Sequence, residues 1–172
     1  MKLVKVKMPW RTFFLRLAVV LAIAGAAVAY FNTRFILGYD NQLESSILGD
    51  RMYIIDTYDQ HLEAGDRYAF GSLGLEPIFP DGTTMVKILV AMPGDHVEIG
   101  KSEQIFINGV ATQFYGLSQA KNIGKAPEDF MGEKQLQEDE LWFMGNNPIS
   151  FDSRYYGAVA PSRVIGRAYP LW

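Results

Sequence analysis

The sequence contains no cysteine and only two histidines, His61 and His96, among its 172 residues. Without cysteine, the chain has no disulfide, no thiolate nucleophile and no cysteine-bound zinc or iron–sulfur cluster. Two histidines are too few for a His-rich metal site. We therefore expect neither a metal nor another cofactor. The lack of cysteine is also compatible with an oxidising compartment.

No acidic residue occurs before Asp40, whereas basic residues crowd the N-terminus: Lys2, Lys5, Lys7, Arg11 and Arg16. A charge asymmetry of this kind is typical of a membrane segment whose positive flank stays in the cytoplasm. The formal net charge of the whole chain is only −3. A nucleic-acid-binding protein usually has a basic face, so we expect no nucleic-acid partner.

The chain has one long apolar run, Phe13–Phe31, which is interrupted only by Arg16. A helix needs about 20 apolar residues to cross a bilayer, and an arginine near its end can extend its charge to the headgroups. We predict a cytoplasmic segment over residues 1–12, a single transmembrane anchor over 13–31, and an exported remainder. The alternative is a signal peptide that is cleaved after Ala29 and releases a soluble binding module.

The exported part begins with residues 32–44, which have few apolar repeats and are predicted to form a linker and loop. From 45 to 172, short apolar runs alternate with turn residues, which favours a mainly β domain, either a barrel or a sandwich. Asn108-Gly109 between apolar runs is the strongest hairpin signal. Residues 112–140 are polar and charged, and they predict a small inserted segment with one or two short helices.

Lys87 lies inside the most continuous strand pattern of the chain, Thr84–Met92. Burial of a lysine disfavours its charged form and lowers its pKa. A lysine that is neutral at working pH can act as a general base. The alternative is an edge strand whose lysine simply reaches water.

Ser45 and Ser46 lie in a polar loop ahead of the strand that begins near Met52. A serine hydroxyl becomes a nucleophile only when a base lies beside it. No histidine follows at a spacing that suggests a catalytic triad, but a Ser–Lys pair is a known variant of the same chemistry. Otherwise, the two serines cap the loop or face solvent.

A third group of polar residues follows the apolar run Leu141–Met144 and consists of Ser150, Asp152, Ser153 and Arg154. An ion pair between Asp152 and Arg154 would hold a turn rigid, and either serine would offer a hydroxyl that orients a nearby amine. A general base needs such an orienting group. The alternative is an ordinary turn rich in serine and aspartate that ends a strand.

In this order, the features resemble the type I signal peptidases over residues 10–172, and they are most similar to the conjugative-transfer branch, which processes pilin precursors. Two stretches carry most of the resemblance, Lys87–Asp95 with its Pro-Gly-Asp ending and Met144–Arg154, and the Asn108-Gly109 hairpin supports it. The resemblance implies a signal-peptidase-like β-barrel or sandwich domain with a small inserted segment behind one transmembrane helix. It also implies that this helix crosses the bacterial inner membrane and that the domain is periplasmic.

The resemblance also implies roles for particular residues. Lys87 would be the general base and Ser46 the nucleophile. Ser45 would be the alternative nucleophile, or it would support the site by helping to hold the oxyanion. Ser150 would hydrogen-bond the lysine, while Asp152, Ser153 and Arg154 would support the wall of the site. The pattern of the general leader peptidases, aligned on Gly49-Asp50, would instead place Asn41 at the nucleophile position and make the chain inactive.

The function implied is that of a serine endopeptidase with a Ser/Lys dyad that processes exported precursors. A propilin would be matured by hydrolysis or by head-to-tail cyclisation, and the partners would be this precursor, the lipid bilayer and proteins of the transfer apparatus. Four residues depart from the family pattern: Leu48 for proline, Ile88 for arginine, Ala91 for glycine and Asn146 for aspartate. These departures leave open a catalytically inactive scaffold protein of a secretion or transfer apparatus.

Overall fold

The structure is a computed structural model that describes residues 9–40 and 45–171. The chain divides into two compact units, Met1–Phe35 and Ile36–Trp172. The described part of the first unit is essentially one helix, α1, which runs from Trp10 to Arg34 over 25 residues. At a rise of 1.5 Å per residue it is about 37 Å long, more than the roughly 30 Å of a bilayer's hydrocarbon core. Its mean hydropathy of 2.2 makes it a candidate membrane span.

Helix α1 extends three residues beyond each end of the predicted anchor, 13–31. The predicted linker over 32–44 is wrong in its first part, because the helix continues to Arg34 and Phe35–Tyr39 then forms strand β1. The residues of β1 are apolar or aromatic apart from Gly38, and this strand pairs with a neighbouring strand of the sheet. Strand formation depends on such neighbours more than on local pattern. Most of residues 1–12 and residues 41–44 lie outside the described part of the chain.

The second unit contains two antiparallel sheets, which confirms the mainly β fold class. Its later strands are β2 Met52–Asp56, β3 Arg67–Gly71, β4 Thr84–Ala91, β5 His96–Ile99, β6 Gln104–Ile107, β7 Val110–Tyr115, β8 Gly132–Gln135, β9 Trp142–Met144 and β10 Val164–Pro170. The first sheet has the order β1-β2-β10-β3-β4-β9, and the second has the order β7-β6-β5-β8. A one-turn helix, α2, spans Ser153–Tyr156.

The predicted hairpin at Asn108-Gly109 is confirmed, since Ile107 pairs with Val110 across it. Both turn residues have positive φ angles, 51° and 76°. Two-residue hairpins favour this conformation because its twist matches that of the strands, and asparagine and glycine tolerate it best.

The predicted insertion over 112–140 is too long at both ends. Strand β7 extends to Tyr115, and Gly132–Gln135 forms β8 on the open edge of β5. All four residues of β8 are exposed and three of them are polar or charged, so no apolar alternation indicates a strand there. Between the two strands lie short 3₁₀ helices at Lys121–Ile123 and Pro127–Phe130, where one or two short helices were predicted.

Strand β4 is packed on both faces, and this positions Lys87. Met85 and Leu89 belong to one apolar cluster with Phe143, whereas Ile88 belongs to another with Trp142. Successive side chains of a strand point to opposite faces, so Lys87 projects on the same side as Met85 and Leu89. The lysine side chain is therefore buried inside the domain and does not reach water.

Candidate active site

The Lys87 side chain is buried, with 3% of the residue exposed. Its Nζ donates a hydrogen bond to Ser150 Oγ at 3.0 Å. Loss of hydration lowers the pKa of Lys87 from 10.5 to about 8, although the charges of Asp152 and Asp40 raise it and that of Arg154 lowers it further. A substantial fraction of the amine is therefore uncharged at mildly alkaline pH.

The Ser45 hydroxyl is engaged within its own loop. Its Oγ lies 3.0 Å from Asp40 Oδ2, 2.9 Å from the Ile47 carbonyl oxygen and 2.8 Å from the Asp50 carbonyl oxygen. A hydroxyl has a single proton to donate, so these three acceptors compete for it. Ser45 is thus placed to stabilise the loop between β1 and β2.

Ser46 is half-buried and lies beside two cavities, of about 300 and about 460 Å³. Lys87 and Phe79 line both of them as well. Among the described residues, the Ser46 N–H makes a long contact, 3.4 Å, with Asp40 Oδ2. Of the two serines, Ser46 is therefore the one that shares accessible space with the buried amine.

The loop that carries both serines is attached to the loop after β9. The Leu48 N–H donates to Asn146 Oδ1 at 2.7 Å, and Asn147 Nδ2 donates to the Ser45 carbonyl oxygen at 2.8 Å. The Asn147 N–H also donates to the Ser46 carbonyl oxygen at 3.2 Å. These bonds fix the backbone on both sides of Ser46.

Gly145 allows this close approach. A Cβ atom at this position would lie 2.3 Å from the Ser46 carbonyl oxygen and 2.3 Å from Ser150 Oγ. Contacts this short do not occur for real Cβ atoms, so any side chain would push the two serines away. The Gly145 N–H in turn donates to Asp152 Oδ2 at 2.9 Å.

Asp152 and Arg154 form a buried two-pronged ion pair, with Nε and Nη2 of the arginine 2.8 and 2.7 Å from the two carboxylate oxygens. The Arg154 Nη1 donates to the carbonyl oxygens of Tyr115 and Gly116, at 3.0 and 2.8 Å. A buried pair of this kind needs such additional hydrogen bonds to offset the loss of hydration. It joins the end of β7, the end of β9 and α2 behind the lysine.

The predicted site residues thus fall into two groups. Ser46, Lys87 and Ser150 line one cavity, whereas Asp152, Ser153 and Arg154 form the frame behind it. Ser153 Oγ accepts the Phe143 N–H at 3.0 Å, so its hydroxyl fixes α2 to β9.

Sequence reasoning did not assign roles to Asp40, Gly145 or Asn147. In the sequence, the Met144-Gly145-Asn146-Asn147 stretch is only a match to a family pattern. Its contacts with the serine loop become visible only in the folded structure. Asn41, the alternative nucleophile position, lies outside the described residues. Within residues 9–40 and 45–171, no group of three or more His, Cys, Asp or Glu residues is arranged to hold a metal ion.

A family model described as signal peptidase, peptidase S26, matches residues 10–172. Two curated proteins are similar to parts of the chain. Signal peptidase I V of Bacillus subtilis is 24% identical over 96 residues, which is 51% of this chain and 56% of that protein. Conjugal transfer protein TraF of Agrobacterium fabrum is 30% identical over 88 residues, 51% of this chain and 48% of that protein.

The chain thus spans about half the length of the curated relatives it matches. Among solved structures, a signal peptidase I from Enterococcus faecalis superposes with a TM-score of 0.42 at 27% identity, covering 63% of this chain and 97% of that one. The similarity to TraF supports the conjugative-transfer branch of the family.

Proposed function

Because the chain belongs to the signal peptidase S26 family, we propose that it is a membrane-anchored serine endopeptidase that uses Ser46 as its nucleophile and Lys87 as its general base. The observation that carries the proposal is the buried Lys87 amine, which donates to Ser150 Oγ at 3.0 Å and opens onto the same cavities as Ser46. The family is one of serine peptidases, which agrees with this chemistry.

In the acylation step, neutral Lys87 Nζ takes the proton of Ser46 Oγ while the oxygen attacks a peptide carbonyl carbon. The negative charge that develops on the carbonyl oxygen needs hydrogen-bond donors. The Ser46 N–H is suited to this role because its present contact with Asp40 is long, at 3.4 Å. The Lys87 ammonium then protonates the leaving nitrogen, and the C–N bond breaks.

In the deacylation step, Lys87 again acts as a base and activates a second nucleophile. Attack by water on the Ser46 ester forms a carboxylic acid and restores the hydroxyl. Attack by an amine forms a new amide bond instead, and when this amine is the N-terminus of the same acyl segment, the product is cyclic. Ser150 supports both steps because its hydroxyl fixes the position of Nζ.

The proposed substrate is an exported precursor, specifically a propilin of a conjugative-transfer system. The similarity to the conjugal transfer protein TraF supports this assignment. Helix α1 would cross the inner membrane once with the basic N-terminus in the cytoplasm, and the peptidase domain would then lie in the periplasm. The precursor, the bilayer and proteins of the transfer apparatus would then be its partners.

The proposal is tested by incubating the detergent-solubilised full chain with the candidate propilin and recording intact masses. We expect wild-type protein to shorten the precursor, with a further loss of one water in the product if cyclisation follows, and Ser46→Ala and Lys87→Ala to leave it unchanged. Ser102→Ala and Lys101→Ala, both on the exposed surface, are matched controls that should retain activity.

Three outcomes contradict this account. Processing at the wild-type rate by Ser46→Ala or Lys87→Ala overturns the dyad. Loss of activity in Ser45→Ala together with full activity in Ser46→Ala would show that Ser45, and not Ser46, is the nucleophile. An inert wild-type protein supports the alternative of an inactive scaffold.

A further inference from the structure

The two cavities at Ser46 have different walls. They share Ser46, Phe79 and Lys87, and each otherwise has its own lining residues. The reacting groups therefore lie where the cavities meet. A peptide bound across Ser46 extends in two directions from the scissile bond, and each direction leads into one cavity.

The larger cavity is lined by strand residues, those of β1 from Ile36 to Tyr39 and those of β4 from Thr84 to Val86. Strand β1 is at the edge of its sheet. Strand β9 pairs with β4 only from Ile88 onward, so in the described part of the chain Thr84–Val86 have a strand partner, β3, on one side only. Open strand edges of this kind bind extended peptides through main-chain hydrogen bonds.

The walls of the smaller cavity are formed mainly by loops and by the 3₁₀ helix at Lys121–Ile123. Its apolar lining comes from Ile78, Ile123, Ile149 and Phe151 in addition to Phe79, and Gln119 and Asn122 contribute amides. Among the described residues, Ser150 lines this cavity and not the larger one. Because Ser150 Oγ accepts the hydrogen bond of Lys87 Nζ, the smaller cavity is on the side of the amine nitrogen.

The direction of the substrate follows from the path of the proton. In the proposed reaction, Lys87 Nζ receives the Ser46 proton and gives it to the nitrogen of the breaking bond. That nitrogen must come within hydrogen-bond reach of Nζ, and the chain beyond it must continue on the Nζ side. The acyl part then lies along the open edges of β1 and β4.

We infer that the smaller cavity is the leaving-group subsite of this enzyme, which binds the residues that follow the scissile bond and selects a neutral apolar side chain at the first of them. The inference rests on the proposed function and adds a second specificity element to it. A volume of about 300 Å³ accommodates one or two side chains of ordinary size.

The outer wall of this cavity is built from the inserted segment. Ser118 Oγ donates to the Pro148 carbonyl oxygen at 2.7 Å, and Gln119 Nε2 donates to the Ile149 carbonyl oxygen at 2.7 Å. The Gln119 N–H also donates to the Tyr155 hydroxyl at 3.1 Å. The 118–123 segment is therefore held against the loop that carries Ser150.

The lining disfavours charged side chains of either sign. Lys87 is the only charged residue among the described residues that line the cavity, so a buried basic side chain would have no counterion. An acidic side chain would raise the pKa of Lys87 and reduce the fraction of neutral base near pH 7. A neutral apolar residue avoids both penalties.

The test uses the detergent-solubilised full chain and a synthetic peptide library with small residues before the scissile bond and all residue classes at the first position after it. We expect wild-type protein to cleave peptides with an apolar residue there at least about tenfold faster than those with Lys or Asp. Ile149→Glu should reduce the ratio of apolar to Lys cleavage by about tenfold or more. Ile123→Trp, which fills the cavity, should shift the preference towards Gly and Ala.

Ile36→Glu is the matched control, because Ile36 lines only the larger cavity and is similarly exposed, 46% against 40% for Ile149. It should change selection before the bond and leave the ratio after the bond unaltered. The inference is overturned if Ile149→Glu and Ile123→Trp keep the wild-type ratio, or if Ile36→Glu alters it instead. If wild-type protein cleaves neither a peptide nor the propilin, the proposed function is wrong, and the leaving-group subsite that depends on it is wrong as well.

Discussion

Lys87 is held in surroundings that favour its uncharged form, and this burial opposes folding at neutral pH. A lysine whose pKa falls from 10.5 to about 8 on folding binds its proton less tightly in the native state than in the unfolded state. The resulting penalty, about 3 kcal/mol, is fully present below pH 8 and disappears as the pH rises through the unfolded value. Lys87 therefore lowers the stability of the native state at neutral pH.

Replacement of Lys87 by methionine should stabilise the protein and abolish its activity. We expect Lys87→Met to raise the free energy of unfolding at pH 7 by about 1–3 kcal/mol, since the lost bond to Ser150 offsets part of the gain. The increase should shrink by pH 10, where the unfolded lysine also begins to lose its proton. Urea unfolding in mild detergent measures both values, with Lys101→Met as the exposed control; a destabilised Lys87→Met variant would contradict the account.

The charge of Asp40 should set the pH dependence of the reaction. Asp40 raises the pKa of Lys87, so Asp40→Asn should shift the rising limb of the kcat/KM profile to lower pH than the wild-type limb near pH 8. Asp139→Asn, an exposed carboxylate that is not among the causes of the lysine shift, should leave the profile in place. An unshifted limb in Asp40→Asn would show that this charge does not act on the base.

Two departures from the family pattern, Leu48 for proline and Asn146 for aspartate, are linked by one hydrogen bond. The Leu48 N–H donates to Asn146 Oδ1 at 2.7 Å, whereas a proline at position 48 would have no N–H to donate. A hydrogen bond between two loops thus takes the place of a rigid ring within one loop. These two residues are therefore weak support for an inactive scaffold.

The sequence allowed the buried lysine to be predicted, but not the residues that fix its partner. Lys87 could be recognised because its neighbours along β4 are apolar and give a local signal. Asn147 binds Ser45 across 102 positions. Asp40 directly follows β1, and its contacts with Ser45 and Ser46 have no local signal in the sequence. Contacts between distant loops depend on the assembled sheets, so no pattern of spacing indicates them.

At the scale of elements, the active-site geometry depends on how closely the loop after β9 approaches the serine loop. Gly145 lies at the point of contact and has no positive φ angle, so alanine would suit its backbone and fail only for lack of space. We expect Gly145→Ala to lower kcat by about 100-fold and to destabilise the domain by about 1–3 kcal/mol.

Gly71→Ala is the control for that change, because the nearest heavy atom to its added Cβ would be 3.9 Å away. It should retain nearly wild-type kcat and stability. Equal activity in both variants would mean that the serine loop tolerates displacement and that its position is not critical.

The strands also differ in how well the sequence predicts them. Strand β4 and the hairpin at Asn108-Gly109 carry strong local signals, an apolar run and an asparagine–glycine turn. Strand β8 has the sequence Gly-Glu-Lys-Gln and is fully exposed; it forms because β5 offers it a free edge. Strand β1 follows a helix without a turn signal, and its pairing with β2 decides its conformation.

For the whole molecule, the basic N-terminus and the 25-residue apolar helix α1 favour a chain that stays anchored. We expect the C-terminally tagged full chain to remain in carbonate-washed membranes, with an intact mass that includes the N-terminal segment. A soluble product whose mass corresponds to a start at Tyr30 would instead show cleavage after Ala29.

The most direct test of the account is to titrate Lys87 in the intact protein. Carbon-13 labelling of lysine Cε, with Lys87→Arg to assign the signal, reports the protonation state of this amine by NMR in detergent. The account predicts that the Lys87 signal titrates near pH 8, and that the activity of the wild-type protein rises over the same range. A signal that titrates near 10.5, as for a lysine in water, would contradict it.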